Sequence, residues 1–282
     1  VAVIRIASLE TVTVPSRARD ARRAWTERHS LLCTLEGGGT GEAAPLPGYS
    51  PDTLEACRAA LEALPPLDGL ADVARLPDTL PAARFALETA ILAEGGGLLG
   101  HLGVAPRPVA RSRLVDDMAQ AEAAVAGGAA VLKVKIGLPR DQAFLSELRA
   151  RFGAIPLRLD ANGTLDPADL DAYARFEPEL VEEPIADPTL LPVTPFPVAL
   201  DESLLRLSPA QIERLARAGR IQALVLKPMI LGGAIRCLAL ARWASGLDLA
   251  VCVTHLHDGP IARAATLALA QALPGRVLPC GI

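Results

Sequence analysis

The stretch VLKVKIG, residues 131–137, sets two lysines two positions apart inside an apolar run. Alternate side chains of a strand share a face, so Lys133 and Lys135 point the same way. Of the 28 basic residues in the chain only one other is a lysine, Lys227 in LVLKPMILGG (224–233); arginine supplies the rest. A genome that favours arginine codons would explain why lysine is rare. It would not explain where the survivors sit.

Working outward, short apolar runs recur: IPLRLD (155–160), LVEEP (180–184), VALDES (198–203), IQALVLK (221–227), LDLAVCVTH (247–255) and RVLPC (276–280), with ARSRLV (110–115) as a weaker first member. Helical patterns separate most of them, among them DQAFLSELRARFG (141–153), SPAQIERLARAG (208–219) and GGAIRCLALARWASG (232–246). The proline-rich segment between LVEEP and VALDES should carry little helix. Strand and helix alternating about eight times over predict an α/β barrel. An open doubly wound sheet is the alternative, but no G-x-G-x-x-G opens a helix after the first strand.

Residues 1–99 have another texture. VAVIRIASLETVTV (1–14) and SLLCTLEGGGTGEA (30–43) alternate like strands, and PDTLEACRAALEAL (51–64) and LPAARFALETAILAEGG (80–96) read as helices. That order predicts an α+β unit ahead of the barrel. PLPGYSP (45–51) is a Pro/Gly loop, and the two GGG clusters, lacking the Lys-Ser/Thr of a phosphate loop, are expected to be turns.

Ionisable residues gather near the C-terminal ends of consecutive runs. The steps from Lys135 through Asp160, Glu182 and Asp201 to Lys227 are 25, 22, 19 and 26 residues, each close to one strand and its crossover. These side chains should stand at one level, at the C-terminal mouth where barrels keep their active sites. Asp160, Glu182 and Asp201, pointing inward from adjacent strands, would repel one another unless a cation sits between them. All-oxygen ligation suits Mg²⁺, with Mn²⁺ as a second candidate. Lys135 and Lys227 would face each other across the mouth. A metal flanked by lysines suits removal of a proton next to a carboxylate. Lysine can act as the base because nearby positive charge, from the metal and Lys133, lowers its pKa; arginine stays charged.

Taken singly, a strand-end lysine ordinarily snorkels and an acid at a strand-to-helix junction caps a helix. A series in register that includes every lysine of the chain points instead to a site. Glu183 and Glu202, beside the proposed ligands, are expected to support them or to cap helices, and Asn162 to support the metal or the substrate.

The bulk properties narrow the partners. At 282 residues the chain suits one barrel with a small companion. A net charge of -4 and a pI near 5.7 argue against nucleic acid and anionic membranes. Cys33, Cys57, Cys237, Cys252 and Cys280 are scattered without a CxxC pair, as buried thiols in a reducing cytosol would be. No apolar run reaches membrane-spanning length, and residues 1–14 show no signal core, so a cytoplasmic location is expected. The expected partner is a small-molecule carboxylate, and both a monomer and a homo-oligomer remain open.

KVK (133–135), DAN (160–162), EEP (182–184), DES (201–203) and LKP (226–228), in this order and spacing, resemble the enolase superfamily in its muconate-lactonizing branch. The resemblance covers nearly the whole chain. It implies an N-terminal α+β capping domain over 1–99 and a modified (β/α)7β barrel over 100–282, with a C-terminal tail able to return to the capping domain. It also implies Asp160, Glu182 and Asp201 as metal ligands, Lys135 as acid/base with Lys133 beside it, and Lys227 on the opposite face.

Within that superfamily, GEAAPLPGYSPDTLEACRAALEAL (41–64) is similar to the capping segment of the o-succinylbenzoate synthase family, which dehydrates a hydroxy-cyclohexadiene carboxylate. By that likeness, loops around Arg28 and Gly48-Tyr49-Ser50 would close over a succinyl tail. Thr254, Asp258 and Gly259 in VTHLHDGPIA (253–262) stand where relatives carry a Ser/Thr pair followed by Leu-Glu/Asp-Ser. His255 and His257 depart from that pattern and read either as rim packing or as substrate contacts. An N-acylamino-acid racemase, a dipeptide epimerase or a muconate cycloisomerase would use the same constellation, although no Asp-x-Asp pair near 254–262 offers to hold a peptide amine. A Schiff-base aldolase would leave the carboxylates without a reason, and a non-catalytic barrel would have no need of these ionisable groups.

Overall fold

The computed structural model describes residues 3–19 and 24–282; Val1 and Ala2 of the first strand-like stretch lie outside them. β1 (Ile6–Arg19) and β2 (Ala24–Leu35) form a long antiparallel pair, and β3 (Thr40–Ala43) adds to β2. The glycine cluster at 37–39 is the turn into β3, with Gly38 at φ 90°. Glycine matters most just after it. A Cβ on Gly41 would run into the carbonyl oxygen of Ala86, and one on Gly39 into that of Ala90. Their absence lets the sheet lie directly on a helix.

That helix is α2 (Pro81–Glu94), preceded by α1 (Leu54–Glu62), whose first turn is capped by Thr53 accepting from the Ala56 amide. α3 (Gly97–Leu102) leads into the barrel. There β4 (Ser112–Leu114), α4 (Met118–Ala126), β5 (Val131–Lys135), α5 (Asp141–Phe152), β6 (Leu157–Asp160), β7 (Leu180–Glu182) and β8 (Val198–Leu200) follow in order. α6 (Pro209–Arg217), β9 (Ala223–Leu226), α7 (Pro228–Leu231), α8 (Ala234–Ser245), β10 (Ala250–Val253) and α9 (Pro260–Ala272) complete it. All seven of these strands are parallel and neighbour one another in chain order, β4 to β10. The central strands are buried on both faces because the crossovers cover the outside, as parallel sheets require, while β4 at the edge leaves Arg113 and Leu114 exposed. The proline-rich segment before β8 carries only the short 3₁₀ turn Pro188–Leu190, and a 3₁₀ segment, Pro167–Phe176, replaces a full helix after β6.

The eighth position is filled by an extended segment that pairs with both edges of the sheet. The Val251 amide donates to the Arg276 carbonyl at 2.9 Å and the Gly281 amide to Val253 at 2.9 Å. On the other side Ser112 donates to Cys280 at 2.9 Å, and Cys280 to Ala110 at 2.8 Å. The ring is thereby closed as a modified (β/α)7β barrel. This segment, expected as a tail able to reach back to the capping domain, stays with the barrel because its backbone groups are taken up by β10 and the start of β4. All five cysteines are buried and unpaired.

The α+β cap is fastened to the barrel by buried carboxylates. Glu42 on β3 accepts from Ser30 Oγ at 2.6 Å and from the amides of Gly259 at 2.9 Å and Ala262 at 3.0 Å. Glu88 on α2 accepts from the amides of Ala234 and Ile235. α9 and α8 therefore have their orphaned first-turn donors satisfied by acids from the other unit, placed at the favourable end of each helix dipole, although burial lifts Glu88 to about 7.

Candidate active site

Register alone brings the functional side chains to one level. Lys135 pairs with Asp160, and Asp160 with Glu182, at the C-terminal ends of β5, β6 and β7. Asp201 is the residue after β8, Lys227 the one after β9 and Thr254 the one after β10. All three carboxylates are 2% exposed or less.

Lysines bridge them. Lys133 Nζ lies 2.8 Å from Asp160 Oδ2 and 2.5 Å from Glu182 Oε2. Lys135 Nζ donates to the same Asp160 oxygen at 2.7 Å and to Asn162 Oδ1 at 2.5 Å. On the far side of the trio Lys227 Nζ donates to Asp201 Oδ2 at 2.5 Å and also to the Tyr49 hydroxyl. Tyr49 donates in turn to Glu202 Oε1 at 2.8 Å, which also accepts from Asn162 Nδ2 at 2.8 Å. A chain of hydrogen bonds thus runs from Lys135 through Asn162, Glu202 and Tyr49 to Lys227. Glu183 stands behind: it accepts from the Asp201 amide at 2.8 Å and from Ser203 Oγ, fixing the backbone that presents Asp201.

Charge follows this geometry. Burial pushes Lys133 and Lys227 down, but the surrounding carboxylates outweigh it and hold both above the ordinary lysine value. Burial would raise Asp160, yet Lys133 and Lys135 outweigh it and hold its carboxyl well below the usual range. Burial and the adjacent Glu202 push Asp201 up against the pull of Lys227.

Among the described residues no three His, Cys, Asp or Glu side chains are already drawn together as a metal cage. The residues nonetheless fit a hard divalent cation. The donor set is all carboxylate oxygen from three adjacent strands, and Asp201 Oδ1 is buried without a hydrogen-bond partner.

Above this layer lies a cavity of about 280 Å³. Lys133, Lys135, Asp160, Asn162 and Lys227 line its base. Tyr49 and Leu46 reach it from the 45–51 loop, and Trp25 from β2. Thr254, His255, Leu256 and His257 form another wall after β10. Burial, reinforced by nearby arginines and lysines, brings both histidines down to about 4, so they are neutral at physiological pH.

Several expected substrate residues are not brought to this cavity. Arg28 is 4% exposed, and its guanidinium donates to the carbonyls of Ala44, Pro45, Leu256 and His257. It ties the cap loop to the loop after β10. Asp258 is buried at 3.9 Å from that guanidinium. Gly259 donates its amide to Glu42, and Ser50 Oγ accepts from the Leu46 amide. Gly48, beside Tyr49, does not line the cavity. Trp25, Leu46 and Leu256 were not foreseen; Trp25 was findable as one of only two tryptophans in the chain.

Comparison with known proteins agrees with this architecture. The o-succinylbenzoate synthase of Pasteurella multocida is 28% identical over 95% of this chain and 86% of its own length. A solved o-succinylbenzoate synthase from Thermosynechococcus elongatus, with Mg in its active site, superposes with a TM-score of 0.74 at 27% identity, covering 98% of this chain and 92% of that one. A dipeptide epimerase from Methylococcus capsulatus, complexed with Mg and the dipeptide L-Arg-D-Lys, gives 0.81 at 26% identity, covering 98% and 90%. A closed parallel barrel under an α+β cap, with its ionisable groups at the strand ends, defines the enolase class of fold. Residues 116–281 match the enolase C-terminal domain-like family, and the chain belongs to it.

Proposed function

We propose that this chain is an o-succinylbenzoate synthase, a metal-dependent lyase that dehydrates 2-succinyl-6-hydroxy-2,4-cyclohexadiene-1-carboxylate (SHCHC) to o-succinylbenzoate. The observation that carries the chemistry is the placement of Lys135 and Lys227 on opposite flanks of one buried carboxylate trio. The relatives of that name supply the substrate.

Asp160, Glu182 and Asp201 would hold Mg²⁺, with Mn²⁺ as the alternative, and the bound ion supplies positive charge for the substrate carboxylate and the electrons left by its α-proton. Lys135, held by Asp160 and Asn162, takes that proton from C1. On the same face it returns the proton to the departing C6 hydroxyl, so that water leaves and the ring becomes aromatic. Lys227 stays protonated on the opposite side, steadied by Asp201 and Tyr49, and stabilises the developing negative charge. Lys133 neutralises the Asp160–Glu182 pair. Leu46 and Tyr49 from the cap loop help to exclude water over the substrate.

An N-acylamino-acid racemase would use Lys135 and Lys227 as two bases on the same scaffold. A dipeptide epimerase is less well supported: the one acid in the 254–259 loop, Asp258, is buried against Arg28 and does not line the cavity. The test is SHCHC turnover, followed as loss of its ultraviolet absorbance, with and without Mg²⁺, for the parent and Lys135→Ala. Mg²⁺-dependent conversion lost in the variant is the expected result. A folded, Mg²⁺-loaded parent that leaves SHCHC intact but exchanges the α-proton of N-succinylamino acids overturns the synthase reading for the racemase.

A further inference from the structure

The loop after β10 is the part of the cavity wall that the chemistry above does not use. It is held rigidly. Arg28 Nε donates to the His257 carbonyl at 3.2 Å and Nη2 to that of Leu256 at 3.2 Å, while the His255 amide donates to Gly281 at 3.3 Å. His257 takes a left-handed backbone conformation, φ 54°, which aims its own amide back at the preceding ring. That amide donates to His255 Nδ1 at 3.0 Å.

A ring nitrogen that accepts from an amide carries no proton, so neutral His255 is the Nε2–H tautomer. Among the described residues Nε2 has no hydrogen-bond partner, yet it is not sealed inside the protein; His255 lines the cavity. Of the other polar side chains on this side three are committed, while the His257 ring and the Arg113 guanidinium, which donates from Nη1 to the Ile282 carbonyl at 3.3 Å, also face the cavity. Trp25 Nε1 donates to the Pro47 carbonyl, Tyr49 to Glu202, and Thr254 Oγ1 to the Gly281 carbonyl. Arg28, Arg113 and Arg263 lie near enough to act electrostatically on the His255 ring, so an acceptor meeting it enters a positive potential.

We propose that His255 Nε2–H is a preset hydrogen-bond donor for the carboxylate of the substrate's flexible side arm, remote from the carboxylate that enolises. It makes His255 a specificity residue and leaves the lysine chemistry untouched. The inference rests on the synthase reading, in which that arm is the succinyl group.

The experiment uses the full chain loaded with Mg²⁺ and compares SHCHC with its succinyl methyl ester, for the parent, His255→Phe and His255→Gln. Phenylalanine keeps the ring volume without a donor; glutamine restores an N–H. A hydrogen bond to a charged acceptor predicts that His255→Phe raises KM for SHCHC about 10- to 100-fold while kcat changes less than about threefold. The ester should already bind weakly to the parent and lose little more in His255→Phe, and His255→Gln should recover much of the KM. Thermal melts of each variant separate this pattern from misfolding, which would lower the active fraction and kcat and leave KM alone. An active parent with unchanged KM in His255→Phe, or equal losses for acid and ester, overturns the inference while the synthase reading stands. A parent inert toward SHCHC removes both.

Discussion

At the joint between cap and barrel, Glu42 and Glu88 are buried against backbone amides at the starts of α9 and α8. At the barrel mouth, Asp160, Glu182 and Asp201 are buried as deeply, but against the ammonium groups of three lysines. Amides belong to helices and cannot leave; a lysine sits on four rotatable bonds and can exchange its partner for a ligand. Buried acids fastened to backbone mark a joint, and buried acids fastened to flexible cations mark a site. Burial by itself does not tell the two apart.

The sharpest way to break that contrast is Lys135→Ala. If the mouth acids serve chemistry, turnover of SHCHC falls by about 10²- to 10⁴-fold, as for loss of an acid/base, while the melting temperature moves little because Lys133 still pairs Asp160. Lys135→Arg should be as inactive, since guanidinium does not give up its proton. The converse substitution is at the joint. Glu42→Ala strands two buried amides and the Ser30 hydroxyl, and urea unfolding should show a loss of about 2–4 kcal/mol, with kcat of the folded protein near that of the parent.

Ligand loading sharpens the same comparison. Mg²⁺ at 100 times its Kd should stabilise the parent by about 2.7 kcal/mol in a thermal-shift titration, and EDTA should reverse it. Asp201→Asn should lose most of that gain, and Glu42→Gln should keep it. A parent unmoved by Mg²⁺ would leave the mouth acids as a structural lattice of the same kind as the joint.

The smallest effect is in pH. His255 and His257 have folded-state pKa values near 4, below an unfolded value near 6.5. The unfolded chain therefore binds more protons between these limits, and stability is lost as pH falls from about 6.5 toward 4. Replacing both, His255→Phe with His257→Asn, should flatten that limb of a melting-temperature profile, with variant and parent differing little above about pH 6.5. Asparagine is chosen for position 257 because it tolerates the left-handed backbone there.

The mouth was legible in the sequence because everything that defines it is local and periodic. Lys133, Lys135 and Asp160 end apolar runs, and equal steps of strand plus crossover put Glu182, Asp201 and Lys227 at the same height. The joint was not legible. Glu42 meets Gly259, and Glu88 meets Ala234, across most of the chain, and no pattern within either segment announces the partner. Arg28 shows the cost of that blindness. An arginine in a capping loop reads as a group for a substrate carboxylate, but its donors are committed to four backbone carbonyls on two loops. Tyr49, expected over the substrate tail, lines the cavity and also accepts from Lys227; the sequence placed it on the right loop without fixing its depth.

Closure of the ring by residues 276–281 also sets an order of events. Ala110 and Arg111 find their strand partner only at Cys280, so the first barrel strand keeps an open edge until a segment about 170 residues further along is in place. Such a distant pairing makes assembly slow and exposes an unpaired strand along the way. Until that last stitch is made, β10 has nothing to brace it on one side, and the His255 loop cannot yet hold its shape. This wall of the cavity should therefore settle late, after the lysines and acids already stand in line.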